Sequence, residues 1–146
     1  MLSKRRVLPS VIVVAVLLMA GRAVASSDHA DPHSCSGGCP NRATFTSSGI
    51  QLTRAVMPHG KIVFHIYAGA AARRFVVLQT SLSASALPIS GTTVNLGKAG
   101  KVLGSRLVAA GQIGRLTLTL PVGTYVLFSN EPGDYRAGYH TELRLT

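Results

Sequence analysis

Beyond residue 43 the apolar residues come in short runs of strand type broken by glycine and proline, and no long amphipathic helix is present. Residues 61–67 alternate, with Ile62, Phe64 and Ile66 on one side and Val63, His65 and Tyr67 on the other. Residues 115–120 alternate more cleanly, with Leu116, Leu118 and Leu120 inward and Thr117 and Thr119 outward. Residues 124–130 and 139–146 read as the last two strands, the latter with Leu143 and Leu145 inward. Pro58-His59-Gly60 and Pro121-Val122-Gly123 read as turns. A short helical turn is expected in residues 81–88, SLSASALP. Seven or eight strands in so short a chain, with no helix to cover a sheet, predict an all-β fold: two antiparallel sheets packed as a β-sandwich.

The first residues follow another logic. Lys4, Arg5 and Arg6 precede an unbroken apolar run of ten residues, 11–20, and Ala23-Val24-Ala25 is a small-x-small cleavage site. That is the layout of a secretory signal peptide over residues 1–25. The apolar run is shorter than the ~20 residues that span a bilayer, so no transmembrane segment is expected in the mature chain. The chain is therefore expected to be exported, to a periplasm or to the extracellular side of a cell envelope. Without the signal, eleven basic residues face five acidic ones, a balance that favours anionic surfaces or partners. Nucleic acid is not expected as a partner: there is no long Lys/Arg run and no known reader motif. Residues 26–42 are polar and glycine-rich with no apolar period, and are expected to form a flexible leader that packs little against a domain of residues 43–146.

The C-terminal segment reads YVLFSNEPGDYRAGYHTELRLT over residues 125–146. It resembles the copper-binding segment of the cupredoxins, the plastocyanin- and azurin-like blue-copper proteins, which commonly read YVLxCNxPGHYxAGMxTELTVT. Asn130, Pro132, Gly133, Tyr135, Ala137, Gly138, Thr141, Glu142 and Leu143 match that frame. The resemblance covers roughly residues 54–146 and implies a Greek-key sandwich. It also implies four copper ligands, and this chain has other residues at all four positions. Ser129 stands at the cysteine, Asp134 at the second histidine and Tyr139 at the methionine. Arg73, in Arg73-Arg74-Phe75-Val76-Val77-Leu78, stands at the first histidine of the family's HxFVVL. A blue-copper centre needs a thiolate, two neutral imidazoles and a weak axial ligand. A serine hydroxyl does not replace the thiolate, and a guanidinium has no lone pair to offer. No metal or other cofactor is therefore expected in the fold. Because the family residues aligned with Arg73 and Asp134 bind one ion, these two side chains are expected to meet in an ion pair, bidentate at best, with the Ser129 and Tyr139 hydroxyls beside it.

The leader carries a second candidate site. His29, His33, Cys35 and Cys39 have residue types that ligate Cu(I) or Zn(II). The same two cysteines are the only ones in a chain expected to be exported, and Gly37-Gly38 between them lets a disulfide close. Both readings stand at this point. His59 and His65 read as solvated surface residues, and strand alternation turns His140 away from Tyr139's side. Ser129 has no histidine base assigned to it, and no phosphate loop, dinucleotide fingerprint or HExxH occurs, so no enzyme is expected.

The main functional expectation is an exported, copper-less binding module whose partner is an unidentified protein or an anion. The alternative is a copper carrier that holds Cu(I) in the His/Cys leader. A third reading is cupredoxin-type electron transfer through a variant metal site.

Overall fold

The computed structural model describes residues 34–146; the expected signal peptide, His29 and His33 lie outside the described residues. Eight strands have four or more residues: β1 (Ser34–Thr46), β2 (Gly49–Leu52), β4 (His59–Tyr67), β5 (Arg73–Gln79), β8 (Lys101–Val108), β9 (Ile113–Leu120), β10 (Gly123–Ser129) and β11 (His140–Leu145). Three pieces of two residues, β3 (Val56–Met57), β6 (Ile89–Ser90) and β7 (Thr93–Val94), complete the strands. One sheet has the order β2-β1-β4-β9 and the other β3-β11-β10-β5-β8, while β6 and β7 form a small hairpin. This is the expected β-sandwich, with one correction. The sheets are mixed rather than antiparallel throughout, because β1 pairs with β4, and β3 with β11, in parallel. Between β1 and β4 the chain visits the other sheet through β3, so it returns to the first sheet running in its original direction.

Alternation builds the layer between the sheets. Ile62, Phe64 and Ile66 of β4, Ala43 and Phe45 of β1, and Leu120 of β9 meet Phe75 and Val77 of β5, Tyr125 and Leu127 of β10, and Leu143 and Leu145 of β11. The second sheet is also covered on its outer face. There Val76, Leu78, Val126 and Phe128 pack under Ala84, Leu87, Val94, Ala99 and Tyr135. Burial on both faces explains why β5 and β10 read as continuous apolar runs instead of alternating ones. The Tyr135 hydroxyl holds this cover down, accepting from Leu87 N–H at 2.9 Å and donating to Ala84 O at 2.7 Å. The helical turn lies elsewhere than expected. It is α1 (Leu96–Ala99), started by the Asn95 side chain accepting from Lys98 N–H. Residues 81–88 form bends and turns. Among the described residues no helix is long and apolar enough to cross a membrane.

The leader expectation needs correction from residue 34 onward. Residues 34–42 belong to β1, and Cys35 is 2% exposed within the core. No apolar period announces this segment, because its order comes from backbone pairing with β4 rather than from a hydrophobic face. Cys35 pairs with Gly60 and Cys39 with Ile62, so β1 bulges between the two cysteines. Gly60, at φ +118°, permits the close approach: a Cβ there would meet the Cys35 backbone at 3.0 Å. Pro40 is tolerated because β2 pairs only with residues 43–46, leaving β1 an edge on that side at Pro40.

At the far end of β10, the buried Tyr125 donates its hydroxyl to Pro121 O at 2.7 Å. Burial raises its pKa above the ordinary tyrosine value. The unfolded chain therefore releases this proton before the folded one does. The stability linked to it is fully present below the unfolded tyrosine pKa of ~10 and is lost as pH rises through the folded value. Tyr125→Phe is expected to cost about 1 kcal/mol at neutral pH and to flatten the alkaline fall in stability. Urea unfolding of both proteins across the alkaline range checks this; parallel pH profiles would contradict it.

Candidate functional site: a closed ion-pair cluster at one end of the sandwich

Strand alternation puts Arg73 of β5 and Ser129 of β10 on the core-facing side of the second sheet, at the same end. Phe75, two residues from Arg73, is the register partner of Ser129. The loop between β10 and β11 brings in the rest. It is wound by Asp134 N–H to Glu131 O at 3.0 Å, Ala137 N–H to Gly133 O at 3.1 Å and Gly138 N–H to Tyr135 O at 3.1 Å. Asn130 ties it down from two sides: its N–H donates to Arg74 O at 2.9 Å and its side-chain oxygen accepts from Val94 N–H at 2.7 Å. Tyr139 closes the loop, accepting at its backbone oxygen from Ser129 N–H at 3.0 Å.

Within this frame four side chains converge. Arg73 Nη1 lies 2.6 Å from Asp134 Oδ1. The second carboxylate oxygen accepts from Ser129 Oγ at 2.5 Å. The Arg73 guanidinium lies over the Tyr139 ring at 4.0 Å and near the Phe45 ring at 5.5 Å. Ser129 is fully buried, and the Arg73 and Asp134 side chains are only 12% and 13% exposed. Two details differ from expectation. The arginine–aspartate contact is single rather than bidentate, and the other carboxylate oxygen is bonded by Ser129. Tyr139 joins through its ring face instead of its hydroxyl. Arg73 Nε is buried and has no hydrogen-bond partner among the described residues, so within them the guanidinium depends on Asp134 and the rings.

The other sequence candidates are dispersed. His140 stacks near Tyr135, with ring centroids 5.0 Å apart, in the outer cover. His59 contacts Thr146 O through Nδ1 at 2.8 Å, and half-buried His65 stands on the outward face of β4. Arg74 reaches Glu131 at 3.3 Å in an exposed pair. Cys35 and Cys39 are joined as a disulfide. Neither sulfur is a thiolate while that bond is closed. Sequence reasoning missed Asn41, a fully buried carboxamide in β1. Its one advance signal is position: two residues before Ala43 and four before Phe45, it continues the inward face of β1.

Solved structures with this arrangement of strands exist. Auracyanin B aligns over 79% of this chain and 90% of its own, at 19% identity and a TM-score of 0.56. Rusticyanin from Thiobacillus ferrooxidans aligns over 77% of this chain and 80% of its own, at 13% identity and a TM-score of 0.54. The fold is that of the cupredoxins. Auracyanin A from Chloroflexus aurantiacus, a "blue" copper protein, aligns over 75% of this chain and all of its own, at 14% identity and a TM-score of 0.50. No protein-family model and no curated protein sequence matches this chain.

The cluster does not fit a blue-copper ion. Its donors are one carboxylate, two hydroxyl-bearing side chains and a guanidinium, with neither thiolate nor imidazole among them. The carboxylate is already engaged on both oxygens. Among the described residues no group of three or more His, Cys, Asp and Glu side chains lies together. The Ser129 hydroxyl is bonded to a carboxylate and not to an imidazole, so no Ser-His pair is formed. What the cluster does chemically is neutralise two charges and tie β5 to the β10–β11 loop.

Proposed function

We propose that this is an exported cupredoxin-fold binding module without copper, in which an ion pair ties together the two segments that the family ties with a metal. The observation that carries the proposal is the 2.6 Å contact between Arg73 and Asp134, two positions where the sequence resemblance places histidine ligands. Ser129 and Tyr139, the other two aligned positions, complete the same cluster, one by a hydrogen bond and one by its ring. Four substitutions that answer one another replace one function with another: charge pairing for metal ligation. The module is not an enzyme, and it acts by holding an unidentified protein or an anionic partner. The Cys35–Cys39 disulfide supports export, since such bonds persist in oxidising compartments.

The test is the metal content and visible spectrum of the mature protein purified from copper-supplemented periplasm. Wild type is expected to be colourless, to hold less than stoichiometric copper and to melt at the same temperature with and without EDTA. The combined variant Arg73→His/Ser129→Cys/Asp134→His/Tyr139→Met is expected to gain Cu(II) and an intense thiolate-to-copper band. A blue wild type, or a large fall in its melting temperature with chelator, would overturn the proposal. A folded four-site variant that takes up no copper would break the residue correspondence on which it rests.

A further inference from the structure

A second site lies on the outward face of the first sheet, away from the ion-pair cluster. A groove of about 530 Å³ is lined by Pro40, Arg42, Thr53, Arg54, His65 and Tyr67. Its floor follows from register. Arg42 of β1 is paired with His65 of β4, and His65 in turn with Arg115 of β9, so three basic side chains form one row across three strands. Arg42 and Arg115 are fixed cations on that outward face, with the His65 imidazole between them.

The second arginine comes from the segment after β2, and that segment is held in place. The buried Asn41 side chain donates to Arg54 O at 2.8 Å and accepts from Arg54 N–H at 3.1 Å. Next to it, Thr53 N–H donates to Arg42 O at 3.0 Å. Both arginines thus stand on backbone locked to the same strand. The Arg42 guanidinium is further steadied over the Tyr67 ring, 4.9 Å from its centroid. Among the described residues no carboxylate lines the groove. The three acidic residues among those described are engaged elsewhere: Asp134 with Arg73, Glu131 with Arg74, and Glu142 accepting from Ala84 N–H.

We propose that this groove binds an oxyanion of the phosphate class through Arg42, Arg54 and His65, with the Thr53 and Tyr67 hydroxyls as further donors. Planar guanidinium forks match the oxygens of such an anion, and two of them converging without a competing carboxylate form a recognition site. The proposal deepens the binding-module reading above by giving it a ligand class.

Two probes test it by amide chemical shifts in chloride buffer: inorganic phosphate and phenyl phosphate. Saturable shifts are expected at residues 42, 53, 54 and 65. Affinity is expected to fall at least about tenfold in Arg42→Gln/Arg54→Gln, whose exposed substitutions leave the unfolding midpoint near wild type. Tighter binding of inorganic phosphate identifies a free ion as ligand; tighter binding of the ester identifies a phosphoryl group on a larger molecule. Shifts that never saturate with either probe, or that persist unchanged in the double variant, overturn the proposal. The groove shares no residue with Arg73, Ser129, Asp134 and Tyr139. Copper found at that end would sink the metal-free reading and leave a positive titration standing, and a negative titration would leave the metal result standing.

Discussion

Asp134→Ala is expected to destabilise the protein by about 3 kcal/mol, because it strands the Arg73 guanidinium in a site where only 12% of that side chain is exposed. Tyr139 and Phe45 would still face the cation, but among the described residues Arg73 Nε lacks a partner and no second carboxylate stands beside it. For a domain of this size the loss corresponds to a fall in Tm of roughly 10 °C. Arg73→Ala is expected to cost less, since Asp134 keeps the Ser129 hydroxyl on its other oxygen. The double variant should recover part of the sum, with a coupling energy above about 1 kcal/mol. The neighbouring pair supplies the contrast. Arg74 and Glu131, at 44% and 30% exposure and 3.3 Å, are expected to couple by less than about 1 kcal/mol. Urea denaturation of the two double-mutant cycles measures both. If the effects at Arg73 and Asp134 simply add, the pair does not hold the loop to β5.

Asn41→Ala is expected to cost about 2–3 kcal/mol, a large effect for a polar residue replaced by a smaller apolar one. Asn41 is fully buried, and its carboxamide meets both backbone groups of Arg54 and lies 3.3 Å from Met57 Sδ. Truncation leaves an N–H and a C=O without partners and opens a void beneath the segment leading to β3. That segment is also the one that pairs with β11 through Val56 and Met57. Faster hydrogen exchange is therefore expected over residues 53–57 while β10 keeps its protection. A loss below about 0.5 kcal/mol would mean that solvent satisfies Arg54 as well as Asn41 does.

These two residues divide what each level of description carries. The faces of β4 and β9 were legible because burial of period two is written into the side chains of each strand. Ile62, Phe64 and Ile66 lie inward, as alternation alone predicts. The sandwich class was legible for the same reason, summed over many short runs. The candidate residues Arg73, Ser129, Asp134 and Tyr139 stood out only against a family frame, because nothing in a lone arginine or aspartate says what it will meet. Even with that frame, the contact between Tyr139 and Arg73 was expected from the hydroxyl and is made by the ring. Residue types set which contacts are possible, and packing selects among them.

Other features had no local signature. Residues 34–42 carry no apolar period, and they become a strand because β4, far along the chain, offers a ladder of backbone partners and a disulfide closes the bulge. Asn41 reads as a polar residue until the fold brings Arg54 beside it. Arg42, Arg54 and His65 are scattered basic residues in the sequence and neighbours only once β1, β4 and the segment after β2 are assembled. The sequence by itself determined the β class, the inward faces of β4 and β9 and the residue types at each position. The tertiary structure decided which polar groups meet, because hydrogen bonding and charge pairing depend on partners distant in the chain, whereas hydrophobic alternation is a property of each strand alone.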